Sequence, residues 1–297
     1  MLNFRRKYPV LVSIVLMVLF PVVSILGVMP LLLWDSVWEM GEYLPQLLVE
    51  IILIIVMTLA AVALKMRYVF LPSDKPLHTK ILPSLFIIIL YTFAMLETLI
   101  LCSEETLRPP LQILWYVLCM LAVGLAEELT FRGLVTQMIY EKYGYNSLGV
   151  WLSVVVSGLL FGAVHLVNAA GGAADILGVL VQMVGAAALG MCLAAIYLRT
   201  RSLWTVVLLH GYMDFCALMT SGFYSVQTIG ETVGGYSAAN LISALFYGGL
   251  AVFLLRPSQI RKITDPNARP TQNQVIGLMT AIFLLSGLLS AVAVVTI

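Results

Sequence analysis

The chain has 297 residues, 61% of them hydrophobic and 10% charged, with a mean hydropathy of +1.02 and a formal net charge of +1. A soluble domain typically runs near 45–50% apolar and about 25% charged, so an ordinary cytosolic enzyme, a disordered chain and a disulfide scaffold are excluded. The charges are spread between apolar blocks with no basic excess, which excludes nucleic acid as a partner and leaves an all-α, polytopic transmembrane helical bundle whose first partner is the lipid bilayer.

A spanning helix needs about 20 consecutive, mostly apolar residues. In chain order the predicted spans are 10–33, 44–64, 81–103, 111–131, 147–168, 174–198, 203–219, 237–255 and 275–297. The count is eight or nine, because the seventh run is short and only Glu104 to Pro110 separates the third from the fourth. The first run follows Arg5, Arg6 and Lys7, but it exceeds the 7–15 residues of a signal h-region and no small-x-small cleavage site follows it, so it reads as a retained helix. Cys102, Cys119, Cys192 and Cys216 sit within or at the edge of apolar runs, form no Cys-x-x-Cys pair and read as buried fillers. The stretches 65–80 and 256–274 read as cytoplasmic loops too short for a separate domain, so residues 1–297 form a single membrane domain.

Cytoplasmic loops carry the excess of Lys and Arg. With the N-terminus placed inside, 15 of the 16 basic residues fall on the inner side and only Arg108 falls outside, with the C-terminus outside as well. A wrong span count upstream would scramble that alternation. The basic inner side suits an anionic inner leaflet and a multi-pass protein of the cell membrane, a prokaryotic plasma membrane by this reading.

The informative residues are the ionisable ones inside apolar runs, each of which costs at least ~2.5–3.5 kcal/mol at the bilayer centre and marks a function by default. Three spans carry them: Glu127, Glu128 and Arg132; His165; and His210 with Asp214. Residues four apart share a helical face while neighbours point about 100° apart. Glu128 therefore pairs with Arg132 and Glu127 faces elsewhere, while His210 shares a face with Asp214 and Phe161 with His165. Each of these pairs could instead serve only to fix helix packing; jointly, on three spans, they point to a site. Glu50 and Glu97 fall near predicted outer ends and read as snorkelling or locally paired; His78 reads as a solvated loop residue.

Glu127-Glu128-x-x-x-Arg132 followed by Gly133, then Phe161-x-x-x-His165 with Asn168 three on, then His210-x-x-x-Asp214, each on its own apolar span, resembles the CPBP family of intramembrane proteases. That family includes CAAX prenyl endopeptidases and bacteriocin-processing and immunity relatives. The resemblance covers roughly residues 111–220, taken as the catalytic core. It implies a glutamate-dependent endopeptidase acting near the cytoplasmic side of the membrane on a peptide or lipidated-protein substrate. Glu127 would be the general base, His165 its partner on the attacking water, and His210 an oxyanion or proton-transfer residue, with Glu128 and Arg132 ordering the site. Peptide hydrolysis needs such a base and donors aimed at the developing oxyanion. The family position usually held by Asn is Asp214 here, and an ionised carboxylate cannot donate to an oxyanion. The spacing favours Asp214 as the residue that orients His210.

Three alternatives stand beside this reading. Glu127, His165, His210 and Asp214 are all zinc-competent, so zinc is a possible cofactor although none is favoured, since His-Glu-x-x-His is absent. A non-catalytic scaffold or immunity protein would use the cluster for packing. A proton-coupled transporter would use it as a relay, with Gly171-Gly172 and Gly234-Gly235 as possible helix breaks. One geometric expectation strains the main reading: at ~1.5 Å per residue, His165 comes out about 27 Å from the inner start of its span, too far outward to meet Glu127.

Overall fold

The computed structural model describes residues 2–34, 37, 39–166, 176–224, 226, 228, 231 and 238–264. Among them the architecture is helical, with one isolated bridge between Leu107 and Tyr224. In chain order the helices are α1 (Leu2–Lys7), α2 (Pro9–Leu31), α3 (Tyr43–Ala63), α4 (Leu77–Ile81), α5 (Leu85–Leu101), α6 (Pro110–Glu128), α7 (Gln137–Tyr143), α8 (Ser147–Val164), α9 (Ile176–Thr200), α10 (Leu203–Ala217), α11 (Met219–Gly222), α12 (Leu241–Leu254) and α13 (Pro257–Thr264). A π-helical segment, Leu129–Thr136, joins α6 to α7 without a break.

Five of these units are long and apolar enough to cross a membrane, or six if the pair α12 and α13, bent by 60°, counts as one. Of the eight or nine expected spans, these five or six are supported among the described residues. The third and seventh predicted runs fold as shorter apolar helices of 17 and 15 residues, α5 and α10. The third run begins four residues late at Leu85 and ends at the Cys102 to Glu104 turns; Ser202, whose side chain accepts from Thr205 N, caps α10 at its predicted start, and α10 ends two residues early at Ala217. The ninth run, 275–297, lies outside the described residues, as do Asn168, Gly171, Gly172, Gly234 and Gly235.

The fourth run extends well past its predicted end at 131, as a continuous 34-residue unit from Pro110 to Tyr143. Asn146 caps the start of α8 by accepting from Gly149 N at 2.9 Å, and the chain turns back there. From Glu127 to Tyr143 is roughly 24 Å of helix and from Ser147 to His165 roughly 27 Å back, so His165 returns to the level of Glu127. The depth mismatch expected from the sequence came from ending the outgoing arm too early.

The two ends of the bundle carry different chemistry. At one, Arg5 pairs with Glu141 at 2.7 Å, Lys142 donates to Lys7 O, Ser73 donates to Thr200 O and Tyr140 donates to Ile263 O. At the other, Arg108 pairs with Glu42 at 3.4 Å and donates to Ser221 O, and Tyr43 and Ser221 share a hydrogen bond. The loops assigned to one side by their basic residues thus gather at one end, with Arg108 at the other.

Glycines set the closest helix crossings. A Cβ on Gly124 would lie 2.8 Å from both Val207 O and Gly211 N, and one on Gly211 would lie 2.9 Å from Met120 O. The backbones of α6 and α10 touch there, as small residues allow in membrane bundles. The four cysteines are free and buried, as expected.

Candidate active site

Glu127 and Glu128 stand at the last turn of α6, where the π segment begins. A π segment widens the helix and leaves carbonyls without regular partners. Here two hydroxyls fill that role for one of them: Thr136 Oγ1 and Ser157 Oγ both donate to Phe131 O, at 2.8 and 2.9 Å. Ser157 belongs to α8, so the irregular backbone is tied to the helix that carries His165.

Glu128 and Arg132 are fully buried, with Arg132 Nη1 2.7 Å from Glu128 Oε1. This is the i, i+4 pair read from the sequence. Its angles make it an ion pair by proximity more than a directed hydrogen bond, and Arg132 is held in addition by Gly190 O at 3.4 Å and by the face of Phe161 at 4.5 Å. The same Glu128 oxygen accepts from His210 Nδ1 at 2.7 Å. That bond fixes the ring, with Nδ1 as the donor. The residue that orients His210 is therefore Glu128, and the expectation that Asp214 does so is corrected: Asp214 Oδ2 lies 3.6 Å from the opposite nitrogen, Nε2. A single turn of α10 places Asp214 beside the outer edge of the ring, whereas Glu128 arrives from α6 across the glycine crossing.

Glu127 reaches the same nitrogen from the other side, with Oε2 also 3.6 Å from His210 Nε2. Both separations exceed direct hydrogen bonding. The Glu127 and Asp214 side chains are 18% and 27% exposed, against none for Glu128, so the open side of the cluster is the Nε2 side.

His165 follows the last residue of α8. Its Nδ1 lies 3.1 Å from Phe161 O, and because a carbonyl only accepts, Nδ1 is the donor and Nε2 is left with a lone pair. Phe161 bridges the histidines and the arginine: its ring centroid is 5.3 Å from that of His165 and 5.9 Å from that of His210, with the Arg132 guanidinium over its face. The six residues singled out in the sequence thus converge from three chain segments. Among the described residues, no three His, Cys, Asp or Glu side chains converge in an arrangement that could hold a metal ion.

Of the two readings of Glu50, snorkelling or local pairing, the structure shows local pairing. It is 5% exposed on α3, so it does not snorkel; Gln46 Nε2 donates to its Oε1 at 2.5 Å, while Oε2 is buried without a partner. It lies within electrostatic range of Glu127 and Asp214. The signal was present in the sequence, a lone carboxylate seven residues into an apolar run, but judging it by distance from a predicted end concealed its burial.

Residues 109–216 match the family described as Type II CAAX prenyl endopeptidase Rce1-like. The resemblance carried by the three motifs to the CPBP intramembrane proteases holds over that stretch, which contains every residue of the cluster apart from Glu50. It supports a membrane protease of the peptidase class. No curated protein matches the chain.

Proposed function

We propose that the chain is an intramembrane endopeptidase in which Glu127, midway along the Pro110–Tyr143 unit, activates a water for attack on a peptide bond within the bundle. The observation that carries this reading is the space around His210 Nε2, bounded by two part-exposed carboxylates at 3.6 Å each while Nδ1 is anchored on the buried Glu128. A water there would lie beside Glu127, and the Phe161 ring packs against both His210 and His165.

In this mechanism Glu127 takes the proton as the water oxygen bonds to the carbonyl carbon. His210, protonated at Nε2, donates to the oxyanion as charge develops. Collapse of the tetrahedral intermediate breaks the C–N bond, and the proton held by Glu127 passes to the leaving amine. Glu128 and Arg132 hold the ring of His210 in place. Asp214 stands where the family has Asn; as an acceptor it supports the Nε2 proton of His210 and leaves the donor role to the imidazole. The substrate is a peptide or a lipidated protein, and no step requires a metal.

Further parts of this reading are a cytoplasmic N-terminus, passage of α5 and α10 through the bilayer alongside the longer helices, and residence in the cell membrane. The test is cleavage of a peptide library, with and without C-terminal lipid, by protein reconstituted in liposomes. Products from the wild type that disappear with His210→Ala support the reading. A wild type that is folded and cleaves nothing across the library overturns it in favour of a packing role for the cluster.

A further inference from the structure

A cavity of about 520 Å³ lies on the other side of α10 from the polar cluster, between that helix and the segment 72–88. Its walls are apolar, including Ile81, Ile88, Leu208 and Leu209, and it ends at Tyr212, whose hydroxyl is hydrogen bonded to Thr92 on α5. Leu77, Trp204 and Leu208 are 71%, 41% and 61% exposed, so the groove opens toward the lipid-facing surface.

Two features separate it from an ordinary greasy crevice. The first is Ser84, which lines the groove, is 2% exposed, and has a hydroxyl without a hydrogen-bond partner. A buried hydroxyl left unsatisfied forfeits a hydrogen bond it would make in water, so an acceptor belongs beside it. The second is the rim. Ser73 donates to Thr200 O, Lys75 to Arg199 O at 2.5 Å and Lys80 to Ser73 O at 2.6 Å, which stitches two basic stretches together at the mouth. Arg201 and Lys262 stand close to Lys75, and Arg256 to Arg199. Among the described ion pairs none involves any of these cations. Arg199 keeps one guanidinium nitrogen buried and unpartnered. Burial of the ammonium, with Arg201, Arg199 and Lys262 adding to it, lowers Lys75 to about 8, as expected of crowded cations; Asp74, the exposed carboxylate next to it in sequence, forms none of the described ion pairs.

We infer that this groove is a binding site for one anionic glycerophospholipid: the phosphate sits at the Lys75 and Lys80 rim, an ester carbonyl accepts from Ser84, and one acyl chain lies along α10 toward Tyr212. The three features match the three parts of such a molecule in order, from charge through ester to hydrocarbon. A free phosphate would satisfy the rim alone and leave the hydroxyl and the apolar groove unused. The site is independent of the peptidase reading, since it uses none of the cluster residues.

The experiment measures, by native mass spectrometry of the purified full chain, retention of phosphatidylglycerol in competition with phosphatidylcholine. The expected result is selective retention by the wild type and about thirtyfold weaker retention by K75Q/K80Q, in line with the loss of two interfacial cations. S84A should weaken the ester lipid severalfold and leave its ether-linked analogue unchanged, a difference that a folding defect does not produce. An exposed-site control, R67Q, should retain the lipid as the wild type does. Equal loss in R67Q, or equal effects of S84A on ester and ether lipids, overturns the site. Displacement of the lipid by inorganic phosphate at the same concentration overturns the identity of the ligand.

Discussion

His210 has two ring nitrogens and three carboxylates around it, and distance divides the work among them. Glu128 at 2.7 Å holds the ring; Glu127 and Asp214 at 3.6 Å leave room for a reactant. The two adjacent glutamates should therefore fail differently when made neutral. Glu127→Gln keeps its volume and is expected to lower cleavage by roughly 10²–10⁴-fold, the usual worth of a general base, with an unchanged melting temperature. Glu128→Gln leaves Arg132 buried without its counter-charge, which costs about 3–5 kcal/mol, a large share of a typical folding free energy. Its yield of folded protein should fall before activity can be compared, as size-exclusion profiles in detergent would show. Asp214→Asn restores the residue usual in the family and should keep activity within about tenfold of wild type, because His210 is oriented from the Glu128 side. A loss as deep as that of Glu127→Gln would place Asp214 at the chemistry. The pairing of Glu128 with Arg132 was legible from their spacing. The hold of Glu128 on His210 was not, because it joins residues 82 positions apart and only the packing of α6 on α10 creates it.

At the scale of elements, the crossing of α6 and α10 decides whether Glu128 and His210 meet. Gly124→Ala inserts a methyl 2.8 Å from Val207 O and Gly211 N, atoms of backbone that cannot rotate away. Overpacking of this kind typically costs about 1–3 kcal/mol. The expected outcome is a lower melting temperature and at least a tenfold loss of cleavage, as His210 is pushed from Glu128. Gly248→Ala is the matching control, since a Cβ there meets nothing within 4 Å and Ala is the better helix former by about 1 kcal/mol; it should be neutral or mildly stabilising. Similar losses in both would show that the close approach at Gly124 does not set the result. Periodicity and hydropathy made α2, α3 and α9 legible nearly to the residue. The same reading ended the Pro110 to Tyr143 unit twelve residues early, because Arg132, Lys142 and their neighbours look like the end of a span. Arg132 is buried by its pairing and Lys142 donates to Lys7 O, so neither ends the helix.

For the whole molecule, the division into a basic end and an end carrying Arg108 with Glu42 follows the alternation read from the sequence. Because the four native cysteines are buried, single introduced cysteines report sidedness on a low background. Tyr145→Cys, at the basic end and 78% exposed, should react with a membrane-impermeant maleimide only after cells are permeabilised. Glu104→Cys, exposed near the other end, should react in intact cells. The reverse pattern would invert the proposed orientation. Hydropathy could indicate which loops lie together but not how many apolar runs would fold as full-length helices. α5 and α10 are short, and what keeps α10 in the bundle is contact with α6 and α5.

The most direct test of the site is the cleavage rate of one identified peptide by wild type and Glu127→Gln in liposomes, each measured with and without a zinc chelator. Wild-type cleavage that survives the chelator and falls at least a hundredfold in a folded Glu127→Gln is the predicted result. Cleavage that the chelator abolishes, or that Glu127→Gln retains, would contradict Glu127 as the base that activates water.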